Sequence, residues 1–348
     1  MRRIRWLGLL VLAGVIAGIM VASGWMASPS SRRANTFTGQ TWGTTYTVTV
    51  VGWHGVDREA VRQAIEVPLK RVDASMSTYR ADSDIGRLNL APHTDWLPIA
   101  PETARVMQHA IDIGRRSEGG YDVTVGALVN LWGFGPEWRP AAVPDPNQIA
   151  AAKARTGLDK IEVRIAPPAA RKQVPGLLVD LSSIAEGFAV DLISEALEQL
   201  GINNYCVEVG GEIRTSGHNV RGLRWQIAVE TPVAGQRSAQ RIVPLSGQSL
   251  ATSGDYRNYF EEEGVRYCHI LDPRTGHPIR HPLASVTVVA DNCTRADAWA
   301  TALMVAGPEQ GFRLAVKENL AAFFIIRNED GFEERCTPRF AMLKGTKP

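Results

Sequence analysis

The chain has few cysteines for its length. Only Cys206, Cys268, Cys293 and Cys336 occur among 348 residues, and they show no CxxC or other metal-ligand spacing. A cysteine-based metal site is therefore not expected. In an exported protein two of the four could form a disulfide, and scattered buried thiols are an equal alternative. We assign the cysteines no function.

The common nucleotide-binding loops are also missing. No GxGxxG follows the first predicted strand and no GxxxxGK[ST] occurs, so Rossmann and P-loop sites are not expected. The formal net charge is only +2, which gives no indication of a nucleic-acid partner. Internal repeats and low-complexity segments are absent. With 45% hydrophobic and 21% charged residues, the composition is that of a folded globular protein.

One long hydrophobic run is present, at the N-terminus. Arg2, Arg3 and Arg5 precede an uncharged stretch from Trp6 to about Met26, and about 20 such residues can span a bilayer. Small residues at 22–24 make a cleaved signal peptide an equal alternative to an anchor. The run has no cysteine, which excludes lipid modification there. We predict a signal peptide or anchor at 1–27, a linker at 28–36 and one large domain at 37–343. That domain would lie on the periplasmic side of the inner membrane, or free in the periplasm after cleavage.

Helices and strands mix without a regular βαβ alternation, which predicts an α+β domain with a mainly antiparallel sheet. β-branched alternation and helical periodicity identify the elements. The predicted strands cover residues 44–51, 160–165, 177–181, 205–209, 225–230, 285–290 and 321–327, and the predicted helices cover 57–73, 101–117, 148–156, 182–200, 294–305 and 309–318. Residues 82–89 are predicted to begin as a loop.

The stretch from Ala251 to Gly276 carries the densest set of chemically capable side chains. It is predicted to fold as strand, turn, strand and turn, which places His269 just ahead of a tight loop. Two glycine-rich and aromatic stretches, 119–126 and 131–136, are predicted to form a surface that lets a flat ligand approach the backbone.

Two helices carry further candidates. Ser182 or Ser183 is predicted to cap the helix that follows, whose first N–H groups can hold a phosphate. In the helix 294–305, Asp297 and Thr301 are four residues apart and share one face. A carboxylate and a hydroxyl are hard oxygen ligands of the kind that magnesium prefers.

Taken in order, these motifs resemble the ApbE family of FAD:protein FMN transferases. The resemblance rests on eight segments spread from residue 42 to about residue 307: WGTTY, MSTYRADSDIGRLN, YDVTVGALVNLWGFGP, DLSSIAEGFAVD, VEVGGEIR, ATSGDYRNYF, HILDPRTG and ADAWATAL. It implies a single T-fold-like domain. It also implies an enzyme that transfers the FMN half of FAD to a Thr or Ser hydroxyl of a partner flavoprotein and releases AMP, with Mg²⁺ required.

The resemblance also implies the roles of single residues. It places a metal on Asp297, Thr301 and the backbone carbonyl of Ala185. It places FAD against Trp42, Tyr79, Gly120, Tyr121, Asp122, Ser182 and Leu271. His269 is the candidate general base for the acceptor hydroxyl, because a neutral imidazole accepts a proton near neutral pH; Asp255 or Asp272 would orient it. The sequence departs from many relatives in having Trp42 where they have methionine and Glu186 where they have lysine.

Two other functions are compatible with the same residues. With water in place of the acceptor hydroxyl, the site would hydrolyse FAD to FMN and AMP. A membrane-tethered flavin-binding module without turnover is the second alternative, although mere binding would not need the metal ligands. The expected partner is a flavin-carrying subunit of a membrane redox complex or an exported reductase, and no nucleic acid.

Overall fold

The computed structural model describes residues 33–344, except residues 54, 138–141, 234 and 236–237. The predicted signal peptide or anchor at 1–27 lies outside the described residues. Within the described part of the chain, no helix is long and apolar enough to cross a membrane.

The described residues form seventeen strands, eight α-helices and one short 3₁₀ helix, Leu158–Lys160. The strands are β1 Ala34–Thr41, β2 Thr44–Val51, β3 Leu97–Pro98, β4 Ile161–Ile165, β5 Pro168–Lys172, β6 Tyr205–Val209, β7 Glu212–Ser216, β8 Trp225–Glu230, β9 Ala239–Leu245, β10 Ser249–Gly254, β11 Tyr259–Glu262, β12 Val265–Cys268, β13 Leu271–Asp272, β14 His277–Pro278, β15 Leu283–Ala290, β16 Ala321–Asn328 and β17 Gly331–Cys336. The helices are α1 Arg58–Met76, α2 Asp84–Leu90, α3 Pro101–Arg116, α4 Gly126–Leu131, α5 Pro146–Lys153, α6 Ser182–Gln199, α7 Cys293–Lys317 and α8 Pro338–Ala341.

Eight strands form one sheet in the order β1-β2-β6-β7-β10-β15-β16-β17, and every neighbouring pair in it is antiparallel. This confirms the predicted α+β fold with a mainly antiparallel sheet. The smaller sheets are β3-β5-β4 and the three hairpins β8-β9, β11-β12 and β13-β14.

Both faces of the large sheet are covered. Along β16, Ala322, Phe324 and Ile326 belong to the core under helices α1, α3, α6 and α7. The alternate residues, including Phe323 and Ile325, pack with β8, β9 and Phe340 of α8. Because successive side chains of a strand point to opposite faces, a strand covered on both sides is apolar throughout. The β16 sequence AAFFIIRN shows this in its buried part.

Helices α6 and α7 pack closely against each other. At Gly187 of α6, a Cβ atom would lie 2.6 Å from the carbonyl oxygen of Cys293 in α7, so only glycine permits this approach. Further along, α7 is interrupted at Gly307, whose φ is 80°, and Pro308 follows. The predicted break between two helical segments at 307–308 is therefore confirmed.

Three local predictions are wrong and one is incomplete. Residues 177–181 form only an isolated parallel bridge from Leu178 to Val125, and the strand of this region is β5. The segment 82–89 begins as a turn at 82–83, as predicted, but its remainder belongs to a helix that the prediction missed, which Ser83 caps by accepting a hydrogen bond from the Gly86 N–H at 2.8 Å. Strand β1 begins inside the predicted linker, since it pairs with β2 from Ala34 onward. The residue at the N-cap of α6 is Leu181, which makes no side-chain cap, instead of a serine.

Candidate active site

A cavity of about 510 Å³ lies beside the large sheet, where the N-terminus of α6, the β6–β7 turn, the end of β10 and helix α7 meet. Nine of the eleven predicted site residues line it: Tyr79, Gly120, Tyr121, Asp122, Ser182, His269, Leu271, Asp297 and Thr301. They come from segments far apart in sequence, which the antiparallel sheet and the α6–α7 pair bring together. A cavity of this size with converging polar groups is the usual form of a small-molecule site.

Trp42 is not brought to this cavity. It lines a separate groove of about 480 Å³ together with Tyr46, Glu66 and Lys70. Trp42 and Gly43 form the two-residue turn between β1 and β2, with φ angles of 47° and 77°. The hairpin geometry directs Trp42 to this groove, so a packing role at the main cavity is not seen.

The cavity face of α7 carries Asp297 and Thr301. Asp297 is buried, and its Oδ2 accepts a hydrogen bond from the Gly187 N–H of α6 at 3.1 Å. Burial, together with the neighbouring Glu186, raises the pKa of Asp297 to about 8. Thr301 Oγ1 shares a hydrogen bond of 3.0 Å with Ser253 Oγ. Ala185 lies one turn into α6, two residues before Gly187, so its backbone is on the segment that contacts Asp297.

These donors fit a hard divalent cation. A buried carboxyl group whose ionisation is disfavoured by burial gains from a cation beside it. A carboxylate, a hydroxyl and a carbonyl are oxygen ligands of the type found around Mg²⁺, which usually takes few ligands from the protein. Among the described residues, no group of three or more His, Cys, Asp or Glu side chains is arranged to hold a metal.

His269 follows β12 and lines the cavity. Its Nδ1 lies 3.1 Å from the backbone oxygen of Asn258, and its own N–H donates to the same oxygen at 3.0 Å. Since a carbonyl oxygen only accepts, Nδ1 carries the proton and Nε2 keeps its lone pair. Burial lowers the pKa of His269 below its ordinary value, so the ring is neutral at pH 7.

The predicted orienting carboxylates do not orient this ring. Asp255 pairs with Arg327 through both carboxylate oxygens, at 2.8 and 2.5 Å. Asp272 pairs with Arg274, at 2.9 Å from each oxygen. Both assignments are wrong, because each aspartate is engaged by an arginine and the Asn258 carbonyl takes the orienting position.

An aromatic stack supports the segment around His269. Phe134 meets the His269 ring edge-on at 6.4 Å, and Phe260 lies 5.8 Å from Phe134 and 5.1 Å from Tyr267. Tyr267 in turn stacks on Trp132 at 5.6 Å. Of the predicted ligand surface at 131–136, Trp132 is fully buried in this stack, whereas Phe134, Gly135 and Pro136 line the cavity. These ring contacts support the segment that carries His269.

The remaining candidates fall into exposed and buried groups. Tyr79 is 75% exposed at the cavity, which leaves its ring free to stack on a ligand. Tyr121 is buried, and its hydroxyl accepts a hydrogen bond from Ser183 Oγ at 3.0 Å. Asp122 accepts from the Thr124 N–H at 2.7 Å, and burial raises its pKa. Gly120 contacts Ser117, where a Cβ would come within 3.2 Å of a carbonyl oxygen.

The N-terminus of α6 offers fewer free N–H groups than a phosphate cradle would need. The Ser182 N–H donates to Asp180 Oδ1 at 2.8 Å. The N–H groups of Ile184 and Ala185 both donate to the Leu181 oxygen. The chain itself therefore uses these three N–H groups, and the phosphate contact at this helix terminus stays a prediction.

A model of the ApbE family matches residues 42–324. The chain belongs to the ApbE family. A curated FAD:protein FMN transferase of Haemophilus influenzae is 43% identical over 343 residues, covering 97% of this chain and 99% of that protein. Another, of Vibrio cholerae, is 43% identical over 303 residues. Among solved structures, the flavin transferase ApbE from Vibrio cholerae superposes with a TM-score of 0.83 at 41% identity, covering 89% of this chain and 99% of that one. The apo form of the Pseudomonas stutzeri flavinyl transferase ApbE also has a TM-score of 0.83 at 41% identity, covering 90% of this chain and 97% of that one.

The sequence-based prediction for this ApbE-family chain missed an acidic wall of the cavity. Seven carboxylic side chains line it: Asp122, Asp180, Glu186, Glu208, Glu212, Glu230 and Asp297. Burial raises the pKa of Glu208 to about 7 and that of Glu212 well above its ordinary value. The sequence signal for this wall was the pair Glu208 and Glu212, which flanks two glycines at the end of an apolar strand. Burying a carboxyl group is costly, so glutamates in such a position indicate a functional site.

Glu186, the residue that departs from many relatives, is part of this wall. Its carboxylate packs against Gly210, where any Cβ would collide with it. Burial raises the pKa of Glu186, and Glu212 is its hydrogen-bonding neighbour. Glu186 therefore faces the same acidic wall as Asp297 and does not bring a positive charge to the cavity.

Proposed function

We propose that this chain is an FAD:protein FMN transferase that moves the FMN half of FAD to a Ser or Thr hydroxyl of a partner flavoprotein. Membership of the ApbE family and 43% identity to a transferase over nearly the whole chain support this activity. The observation that carries it is a neutral His269 in the same cavity as Asp297 and Thr301. A general base in the same cavity as oxygen ligands for a metal ion is an arrangement that suits phosphoryl transfer.

The reaction can be written from the residues on this chain. The acceptor oxygen attacks the phosphorus of the FMN half, the bond from that phosphorus to the bridging oxygen breaks, and AMP leaves with the bridging oxygen. His269 Nε2 takes the proton of the acceptor hydroxyl, while the Asn258 carbonyl keeps the ring in the required tautomer. Tyr79 stacks on the flavin ring and holds the FMN half during the attack.

We further propose Mg²⁺ as the cation of this site. Asp297, Thr301 and the carbonyl of Ala185 would hold it, in agreement with the oxygen donors and the raised pKa of Asp297. When bound, such a cation neutralises phosphate charge that develops during transfer. On the protein side, Gly187 fixes the Asp297 carboxylate through its N–H and keeps α6 and α7 in contact.

Purified residues 33–348 are incubated with FAD and Mg²⁺, with and without an acceptor flavoprotein domain, and AMP and covalent flavin are followed by mass spectrometry. Acceptor-dependent attachment of FMN with one AMP released per attachment is expected, and it is lost on chelation. AMP and free FMN in the absence of acceptor would instead identify an FAD pyrophosphatase. Tight FAD binding without AMP would identify a flavin-binding module.

We also propose that the catalytic domain acts outside the cytoplasm, anchored by residues 6–26 or released after their cleavage. The three arginines before the apolar run support this orientation. The partner would then be an exported reductase or a flavin-carrying subunit of a membrane redox complex. Fractionation of cells that express the full chain, with protease added to spheroplasts, tests the location: protection of the domain inside intact spheroplasts would contradict it.

A further inference from the structure

Among the described residues, the lining of the cavity carries little positive charge for a site that takes a dinucleotide. Of the described residues that line it, seven are Asp or Glu, and Arg257 is the only Lys or Arg. A pyrophosphate brings two negative charges, which acidic walls repel at short range. A cationic side chain that lines this cavity is therefore positioned to offset the repulsion between the acidic wall and a phosphate.

Arg257 lies in the loop between β10 and β11, next to Asn258, whose carbonyl fixes His269. Its Nη2 donates to Glu230 Oε2 at 2.5 Å, and its guanidinium carbon lies 5.6 Å from the centre of the Tyr256 ring. Tyr256 also shares a side-chain hydrogen bond with it. Glu230 and Tyr256 use a minority of the five N–H donors of a guanidinium.

The remaining donors are accessible from the cavity. The Arg257 side chain is 54% exposed although Arg257 lines the cavity wall, so its guanidinium is held from one side and open on the other. Its positive charge also reaches the acidic wall, because it lowers the pKa of Glu208 against the effect of burial. Arg257 lines the same cavity as Asp297 and Thr301, the candidate metal ligands.

We propose that Arg257 binds a phosphate of the FAD pyrophosphate as a second positive group beside the cation held at Asp297. Arginine suits this role, since its planar fork donates two parallel hydrogen bonds to phosphate oxygens. Tyr256 lies beside the guanidinium, while Glu230 binds its Nη2 and competes with a phosphate for that group. The proposal rests on the proposed function, because it takes FAD as the ligand.

The test compares Arg257→Gln, Arg257→Lys and Glu230→Gln with the wild-type domain. The dissociation constants of FAD, riboflavin and adenosine are measured by titration in Mg²⁺, with flavin fluorescence for the flavins and calorimetry for adenosine. We expect Arg257→Gln to weaken FAD binding about 10- to 100-fold, the range of a lost charge-assisted pair, and to leave the two phosphate-free ligands unchanged. Arg257→Lys keeps the charge without the planar fork, so its FAD affinity should lie between those of the wild type and Arg257→Gln. Glu230→Gln, which frees the guanidinium, should bind FAD as tightly as the wild type or more tightly.

Three results would overturn the proposal. The first is unchanged FAD affinity in Arg257→Gln. The second is an equal loss of riboflavin, adenosine and FAD binding, which would make Arg257 a structural residue; Arg257→Lys provides the same comparison if the glutamine variant does not fold. The third is a wild-type domain that does not bind FAD at all, which would also remove the proposed function. In the first two cases the wild type still binds FAD, so the two failures are distinguishable.

Discussion

His269 and Asn258 meet through two hydrogen bonds to one atom: the backbone oxygen of Asn258 accepts both from the His269 N–H, at 3.0 Å, and from the Nδ1 of its ring, at 3.1 Å. The ring is thereby fixed in orientation and tautomer by the main chain. Replacing His269 by Gln removes the base while keeping a polar side chain. We expect the turnover of FMN transfer to fall about 10²- to 10⁴-fold, the usual contribution of a general base, with FAD affinity within about threefold.

Two variants control this experiment. His93 is an exposed histidine outside the cavity, and His93→Gln should leave turnover unchanged. Asn258→Ala keeps the backbone carbonyl and should retain most of the activity, whereas a side-chain role of Asn258 would reduce it. Loss of FAD binding in His269→Gln, measured in the same titration, would show that His269 is structural.

The pH dependence of transfer should have an acid limb that moves with Mg²⁺ concentration. Asp297 has a pKa raised to about 8, so protons compete with the cation below that pH. At low Mg²⁺ the limb should therefore lie near pH 8, and Mg²⁺ should bind more weakly as the pH falls. At saturating Mg²⁺ the remaining limb belongs to His269, whose lowered pKa places it below 6.5. Initial rates from pH 5 to 9 at several Mg²⁺ concentrations measure this, and a limb independent of Mg²⁺ would contradict it.

Asp297→Asn should stabilise the metal-free protein while removing transfer activity. The pKa of Asp297 is about 8 in the folded protein and about 3.9 when unfolded, so the folded state holds a proton that the unfolded state has released. Its contribution to stability is present below the unfolded value and is lost as the pH rises through the folded one. At pH 8.5 without Mg²⁺, we expect the variant to gain about 1–3 kcal/mol in free energy of unfolding, because a neutral amide costs less to bury.

Chemical denaturation of both proteins at pH 5.5 and pH 8.5 measures this difference. The gain should shrink at pH 5.5, where the wild-type carboxyl group is already protonated. Adding Mg²⁺ should stabilise the wild type and leave Asp297→Asn unchanged, since a ligand stabilises only the state that binds it. A variant that is less stable than the wild type at pH 8.5 would show that the ionised carboxylate is needed for folding.

The sequence predicted elements whose pattern is local. Strand β2 was predicted with its observed bounds, and the break at Gly307 was predicted because glycine followed by proline ends a helix through main-chain chemistry alone. The segment 177–181 was mistaken for a strand because its apolar residues are buried in the core without a partner strand beyond the single bridge at Leu178. An apolar run does not reveal whether a neighbour pairs with it.

In the site, too, local features could be predicted from the sequence and long-range contacts could not. The spacing of Asp297 and Thr301 on one helix places both on the cavity, because a helix fixes the geometry of residues four apart. The orienting partner of His269 is a backbone carbonyl, which no residue type identifies, and the prediction therefore turned to Asp255 and Asp272. The acidic wall combines residues of α6, β6, β7, β8 and α7 with Asp122 and Asp180 outside them, and such long-range neighbours require the fold.

Tyr79 should contribute to FAD binding without contributing to stability. Its side chain is 75% exposed at the cavity, so truncation leaves no hole in the core. We expect Tyr79→Ala to weaken FAD binding about 3- to 15-fold, which corresponds to a stacking contribution of about 0.5–1.5 kcal/mol. Tyr79→Phe keeps the ring and should bind FAD normally. Unchanged FAD affinity in Tyr79→Ala, or a large fall in its melting temperature, would contradict the stacking role.

Gly187→Ala tests whether the contact between α6 and α7 assembles the metal site. A Cβ at Gly187 would lie 2.6 Å from the Cys293 oxygen and 2.9 Å from Asp297 Cβ, so the two helices must separate. Separation weakens the Gly187 N–H to Asp297 bond and shifts the α6 segment that carries Ala185. We expect a loss of about 1–3 kcal/mol in stability, typical of overpacking, and a Mg²⁺ requirement raised at least about tenfold.

Gly201→Ala serves as the control. Gly201 follows α6 at the opposite end, where a Cβ has open space but a φ of 75° makes alanine unfavourable. It should lose comparable stability through backbone strain while keeping the wild-type Mg²⁺ requirement. If both variants shift the Mg²⁺ requirement equally, general loosening of the fold explains the effect, and the α6–α7 contact has no particular role in holding the cation.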